Sequence, residues 1–355
     1  MNSTRYLGIF APFPRKQYLS DGWYKRIATV DYHFEFLPKI YINSIHKRSN
    51  GQSDFVIHDS GSIEIFYSDS DQVLSEEAKT FLDSIKLIYI HTTHLGEDFF
   101  RLDIPVPFVI DFHGAAPEEE GYLGNQLLAE RLKEIEMKLY IESELRVFIS
   151  SGMKKHFESK YGRRNSVQLP IISDVRPTLS PTLLANKARN PSSGVYAGGM
   201  QKWQNIEKII ELSLNSGIEL TIATNSSIRL SREEKKKFKL VNCNSIQLAN
   251  LYSDTTFGFV LRDNGVVNQV AFPTKLYEYM SHGVIPIVDF ANLGGLNDRG
   301  YDYLDHRDFK AGNFDRSLFM NYKENNLQIS REVEIEFLEG GLMLQGLVNG
   351  LINAR

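Results

Sequence analysis

Residues 257–290 read FGFVLRDNGVVNQVAFPTKLYEYMSHGVIPIVDF, and no other stretch restricts the possible folds as tightly. The apolar run at 257–261 has the length of a buried strand, and 284–288 repeats it. Between them come a polar loop opened by Arg262 and Asp263, a break at Pro273, and a short helix from Thr274 to Ser281 that stops at Gly283. Strand, loop, short helix and strand together predict an α/β layer with a parallel sheet. Lys275 and Glu278 stand three apart, so both project from one face of the helix's first turn. The amides and positive dipole end of that helix, from Thr274 on, suit a phosphate, with Lys275 and Arg262 as added cations. A carboxylate one turn further in can accept two vicinal ribose hydroxyls. Phosphate grip beside sugar grip predicts a nucleotide site.

The same alternation runs through the chain. Apolar runs at 6–10, 55–57, 63–67, 87–91 and 108–112 read as strands. A helix over 125–146 places Leu128, Leu132, Ile135 and Leu139 on one stripe, followed by a strand at 147–150 and a helix at 153–161. Residues 173–193 are rich in Pro, Ser and Asn and lack periodicity, which predicts a connection between domains. A second domain restarts at Gly194 with a strand, the Gly198-Gly199 turn, Asn205 as N-cap, and a helix burying Ile206, Ile209, Ile210 and Leu214. A strand at 219–223 and a short helix at 248–252 lead to the opening segment. The last helix, over 333–352, has Phe337, Leu344, Leu347 and Leu351 as anchors. The expected division is 1–172, a linker at 173–193, 194–330, and a C-terminal helix at 331–355.

With 355 residues, two domains with real cores are possible. A net charge of −4 argues against a nucleic-acid binder. The one cysteine, Cys243, excludes an intramolecular disulfide and fits a reducing compartment. The N-terminus lacks the apolar core of a signal peptide, and no window approaches 18 uncharged apolar residues.

The PTKLYEYMSHGVIPIV run resembles the donor-site signature of GT-B glycosyltransferases, especially the family-4-like enzymes of bacterial surface polysaccharide synthesis. The FISSGMKKHFESKYG passage is similar to the end of their N-terminal domain. The resemblance implies two Rossmann-like doubly wound domains facing a central cleft, with the final helix crossing back to the first. It implies a nucleotide-sugar whose ribose is held by Glu278 and whose diphosphate is held by Lys275 and Arg262. It further implies a cytoplasmic, metal-independent, retaining hexosyltransferase with no cofactor besides the donor, acting on a glycan or lipid-linked acceptor with peripheral contact at the inner face of the membrane.

Two stretches depart from the pattern. In GGMQKWQN the usual arginine position holds Gly199 or Met200, and the lysine is Lys202 or missing. Gly198 and Gly199 let backbone approach a phosphate, or else serve a packing turn. The loop RDNGVVNQVAFP lacks the first of the two family glutamates, which leaves Asp263 and Asn268 as candidates for donor contacts.

The acceptor side falls on VIDFHGAAPEEEG, where a strand ends in Asp111 and His113. Side chains at the carboxyl end of a parallel strand point to the ligand side. The resemblance carries His113 to the donor sugar, a role its proton chemistry suits. Asp111 alternates with His113 and is placed to orient the imidazole. Glu119 is the loop carboxylate expected to meet an acceptor hydroxyl, with Glu118 beside it; an acidic helix N-terminus is the competing reading. His91 is expected either in the core or against the acceptor. No third histidine or cysteine at ligand spacing accompanies His91 and His94, so no metal is expected. Asp69 and Asp71 imitate a DxD motif but read as a turn. The basic pairs Lys154-Lys155 and Arg163-Arg164 and the run Lys235 to Lys237 read as solvated faces, the first two with a possible use against anionic lipid. A catalytically silent subunit partnering an active transferase and a nucleotide-sugar epimerase are the alternatives.

Overall fold

The computed structural model describes residues 5–15, 17, 22–46, 53–67, 74–173 and 175–354. The chain divides into two compact units, one formed by Met1–Ile171 with Phe337–Arg355, the other by Ile172–Glu336. Each is a sheet covered by helices, as the alternation of apolar runs with amphipathic ones requires.

The first sheet contains β1 (Tyr6–Phe10), β2 (Lys39–Asn43), β3 (Phe55–Ile57), β4 (Ile63–Phe66), β5 (Ile85–His91), β6 (Phe108–Phe112), β7 (Leu145–Phe148) and β8 (Ser166–Gln168). Their order is β3-β4-β2-β1-β5-β6-β7-β8. Neighbours are parallel except β3 and β4, an antiparallel pair at the edge. The chain works outward from β1 in one direction and then from β5 in the other, so strand order reverses between them. On the helix-covered face Phe112 lies 4.2 Å from Phe157 and 5.7 Å from Phe148, ring to ring.

The second sheet contains β9 (Ser193–Ala197), β10 (Glu219–Ala223), β11 (Lys239–Val241), β12 (Phe257–Val260), β13 (Ile285–Val288) and β14 (Leu304–Asp305). All neighbours are parallel, in the order β11-β10-β9-β12-β13-β14, with the reversal between β9 and β12. Phe257, Phe259 and Phe309 join Ile209, Ile222, Ile285 and Ile287 in its core.

Several elements differ from expectation for identifiable reasons. The helix expected over 125–146 is Gln126–Glu142, and β7 begins at Leu145. Arg146 belongs to the strand; its Nε donates to the Tyr140 carbonyl at 2.6 Å and its Nη2 to that of Ile141 at 3.0 Å, capping the helix end. Within that helix Leu128 is exposed, while Glu136 and Tyr140 are buried. Strands β2 and β8 escaped notice because KIYIN and SVQ carry polar residues in both. Residues 173–193 contain a helix, Pro181–Asn186, whose Leu184 and Ala185 pack with Leu327. The final helix is longer than expected, Phe319–Asn353. Its buried apolar positions are Leu327, Ile329, Val333, Phe337, Leu344, Val348 and Ile352, so Phe337 and Leu344 anchor it as expected, whereas Leu347 is exposed and Val348 and Ile352 take the remaining places. No helix among the described residues is long and apolar enough to cross a membrane.

Two glycines in that last helix serve opposite ends. A Cβ at Gly341 would collide with the His33 ring, whereas one at Gly346 would meet nothing within 4 Å. Gly346→Ala should therefore stabilise the protein by about 1 kcal/mol through helix propensity alone, and Gly341→Ala should destabilise it by about 1–3 kcal/mol through overpacking. Urea unfolding of both variants checks the pair; equal shifts would show that the helix does not pack as described.

Candidate functional site

Strands β9 and β12 are neighbours, and the order of the second sheet reverses between them. A crevice at such a reversal, beyond the carboxyl ends of the strands, is where ligands bind in open α/β sheets. Gly198 follows β9 and Arg262 follows β12. Lys275 comes from the helix Thr274–Ser281, which formed as expected after Pro273.

Lys275 is buried, and its ammonium donates to the Tyr196 hydroxyl at 3.1 Å and to Gln204 Oε1 at 2.6 Å. It also lies 4.3 Å from the centre of the Tyr196 ring. None of these partners is an anion. Burial, and after it the charge of Arg262, hold the Lys275 pKa well below the ordinary lysine value. Gly198 has φ +132, and a Cβ there would overlap Lys275 Cε and lie 2.8 Å from Nζ. The glycine thus admits the lysine, a different task from letting the backbone approach a phosphate. Gly199 offers its carbonyl to the Tyr196 hydroxyl. Lys202 is exposed on a single 3₁₀ turn, Lys202–Gln204, and it is Gln204 that turns inward.

Arg262 is 8% exposed and makes no hydrogen bond or ion pair with any described residue. Its Nε is buried without a partner, and burial lowers its pKa to about 10. Asn268 is buried as well; its Nδ2 donates to the Asp263 carbonyl at 2.8 Å, and its Oδ1 has no partner. A buried guanidinium and a buried amide oxygen left unsatisfied each cost free energy unless something external satisfies them. Asp263 is exposed and accepts from Asn205 Nδ2 at 2.8 Å. Asn205 therefore starts its helix with φ 49 and ψ 46 and no side-chain cap, contrary to the expected capping role.

Glu278 is half-buried and accepts from the Tyr252 hydroxyl at 2.8 Å. Tyr252 is itself wedged edge-on between Tyr279, at 5.3 Å, and His282, at 5.2 Å. The amide of Thr274 donates to the Phe272 carbonyl at 3.0 Å, so this first amide of the helix is not available to a phosphate as expected.

In the first unit, His91 ends β5 and Asp111 and His113 end β6. Asp111 is fully buried and accepts two 3.0 Å bonds from Arg26, from Nε to Oδ2 and from Nη2 to Oδ1. Arg26 also donates to the Leu169 carbonyl at 2.8 Å. Burial would raise the Asp111 pKa, but Arg26, then His113, hold it far below the ordinary carboxylate range. His113 is half-buried, with Nε2 3.4 Å from Asp111 Oδ2 and 3.2 Å from His91 Nδ1. Asp111 thus orients the imidazole from a fixed, ionised position. His91 is 0% exposed, so of its two expected places it takes the core. Burial, then the nearby His113, hold its pKa well below the ordinary imidazole value. Thr92, next in the chain, has φ 67, a strained conformation for a β-branched residue. Ligand atoms of His91, Asp111 and His113 lie within 4.8 Å of one another, a spacing a metal could use. Both Asp111 oxygens already accept from Arg26, so a metal there would compete with its guanidinium.

Glu119 accepts from the Ala115 amide and folds against Gly114, where a Cβ would overlap its carboxylate. Burial, then Glu120, raise its pKa to about 6. Glu118 is engaged within the protein: His156 Nε2 and Lys160 Nζ each hold its Oε1 at 2.9 Å. Burial opposes ionisation, but those two bonds bring its pKa down to about 2. Asp69 and Asp71 lie outside the described residues. Tyr196, Gln204, Tyr252 and Arg26 were not singled out from sequence; Arg26 is 85 residues from Asp111, and no local pattern links them.

No protein-family model matches the sequence, and no curated protein matches it significantly. Solved structures do match over the whole chain. Sucrose-phosphate synthase from Thermosynechococcus elongatus aligns with a TM-score of 0.66 and 13% identity, covering 99% of this chain and 100% of that one. A trehalose-6-phosphate structure from E. coli, bound with UDP-2-fluoro glucose, aligns at 0.59 and 10% identity, covering 98% and 99%. A UDP-glucose: anthocyanidin 3-O-glucosyltransferase in complex with UDP aligns at 0.55 and 10% identity, covering all of both chains. The fold is therefore that of the GT-B glycosyltransferases.

Two outcomes follow from the site's electrostatics. Replacing Arg262 by Met removes a buried, unpartnered charge, so the ligand-free protein should gain about 1–3 kcal/mol of stability in urea unfolding; a loss would mean that Arg262 has a structural partner. Glu119 has a folded pKa above its ordinary 4.5, so between pH 4.5 and about 6 the folded chain holds more protons than the unfolded one. Stability then falls as pH rises through that window. Glu119→Gln should flatten this limb of the melting-temperature profile, and an unchanged limb would place the titration elsewhere.

Proposed function

We propose that this chain is a glycosyltransferase that moves a sugar from a nucleotide-sugar to a glycan or lipid-linked acceptor, in the family-4-like manner of bacterial surface polysaccharide synthesis. The observation that carries the reading is Arg262, buried without an anionic or hydrogen-bonding partner at the reversal of the second sheet. Close by, Lys275 is equally without an anion. Two cations held in this way before any ligand arrives are complementary to a diphosphate, and they stabilise it further as charge builds on the leaving group. Glu278, steadied by Tyr252, takes the ribose, and Asp263 and the Oδ1 of Asn268, on the short helix Val266–Val270, meet the donor sugar. Neighbours in the same fold hold UDP or UDP-2-fluoro glucose, which supports a nucleotide donor.

On the acceptor side His113, oriented by Asp111, and Glu119 are the reacting-side candidates. Neither step requires a metal or another cofactor. Retention of anomeric configuration and action at the inner face of a cell membrane complete the proposal. A catalytically silent partner subunit is the second reading, favoured by the missing family glutamate and the missing loop arginine. Against it stands the cost of keeping Arg262 and Lys275 buried with nothing to bind.

Thermal shift against UDP-, GDP-, CMP- and dTDP-linked sugars tests the donor site. Stabilisation by one nucleotide family, abolished in Glu278→Ala and in Arg262→Met, is expected. No shift with any nucleotide would overturn the donor assignment.

A further inference from the structure

Past Phe337 the last helix presents two unlike sides. Leu344, Val348 and Ile352 are buried, and Gly340 and Gly341 lie tight against the Gln168 carbonyl and the His33 ring. With about 3.6 residues per turn, the opposite side is Glu339, Leu342, Met343, Gly346, Gly350 and Asn353. All six are exposed, Leu342 by 68% and Met343 by 55%. Residues 340–354 carry no charged side chain, whereas the outward side of an ordinary surface helix is charged or polar. A contiguous exposed apolar face of this kind marks a contact surface.

Folding explains the glycines at 340 and 341 but not those at 346 and 350. A Cβ at Gly346 or Gly350 would meet nothing within 4 Å, and glycine weakens a helix interior relative to alanine. Residues without side chains let a second helix come close, because the side chains at a contact set the distance between helix axes. Leu342 projects one turn before the Gly346 hollow, and Gly350 makes a second hollow one turn after it. The two ends of this side differ in charge. Glu339 is exposed and pairs with no described residue. At the other end Arg5 donates from Nη1 to the Ile352 carbonyl at 3.2 Å and to Asn353 Oδ1 at 3.5 Å.

We infer that this side of the last helix is the contact between two copies of the chain, their helices crossing antiparallel about a two-fold axis at Gly346. In a two-fold contact each pairing occurs twice. Leu342 of one copy enters the hollow at Gly350 of the second copy, and Glu339 comes opposite Asn353, where Arg5 supplies the complementary charge. Parallel copies would set acid against acid and guanidinium against guanidinium. A bilayer fits this side less well. Interfacial helices are rich in Lys and Arg, whereas this helix holds five glutamates against Lys323 and Arg331, and glycines offer lipid little apolar surface. The contact is distinct from the β9–β12 reversal and does not depend on what binds there.

The test is sedimentation velocity of the full chain over a wide range of concentration, in which the wild type should pass from monomer to dimer. Leu342→Glu alters an exposed side chain and should weaken the dimer by about 100-fold or more, since each dimer carries the change twice. Gly346→Leu places a Cβ where its own chain has no atom within 4 Å. It should melt no lower than the monomeric wild type and yet fail to dimerise. In a Cys243→Ser background, Gly346→Cys should form an intermolecular disulfide in air, because the axis sets it against itself. Asn353→Cys should not, its two copies lying about 21 Å apart along the paired helices. A monomer at every concentration overturns the inference, as does a dimer that Leu342→Glu and Gly346→Leu leave intact. Cross-linking through Asn353→Cys but not Gly346→Cys overturns the antiparallel pairing. A monomer that pellets with phosphatidylcholine vesicles would assign this side of the helix to a bilayer instead.

Discussion

Lys275 reaches the carboxyl ends of β9 and β12 only because position 198 has no side chain. That single clearance organises the second unit. Once the ammonium lies over the Tyr196 ring, it fixes Gln204, and the Tyr196 hydroxyl closes on Gly199. Arg262 then sits at the end of the adjacent strand with a like charge nearby. Neither cation is neutralised from within, so the fold carries an electrostatic deficit at its switch point.

The first unit solves a similar problem in the opposite way. Asp111 is buried as deeply as any residue of the chain, yet both its oxygens are satisfied by Arg26. The pair is saturated, and the surplus lone-pair capacity on Oδ2 goes to His113. Burying a charge with its partner produces rigidity and a fixed orientation, whereas burying one without a partner produces affinity. The two sites, both at the carboxyl ends of interior strands, thus differ in how their buried charges are held. One holds an imidazole still, and the other leaves its cations without an anion.

Much of this was legible in the sequence. The strand–loop–helix–strand segment appears at nearly the expected residues, because fully buried parallel strands read as unbroken apolar runs, and Pro273 and Gly283 mark the helix ends. Arg262, Lys275 and Glu278 come from one stretch of chain, so their proximity follows from local geometry. The elements that escaped were those with mixed composition, such as KIYIN in β2, where burial on both faces is imposed by neighbouring strands.

The sequence by itself determined the α/β class, the two-sheet plan and the cluster of basic residues with Glu278, since each depends on periodicity and spacing within a few tens of residues. Only the tertiary structure decided the roles of the individual side chains. It withdrew Glu118 into an ion pair with Lys160, 42 residues away, and buried His91 behind His113. It also set Gly198 directly against Lys275. Solvation explains the difference: whether a polar group is spent or available depends on which distant atoms exclude water from it, and local sequence does not encode that.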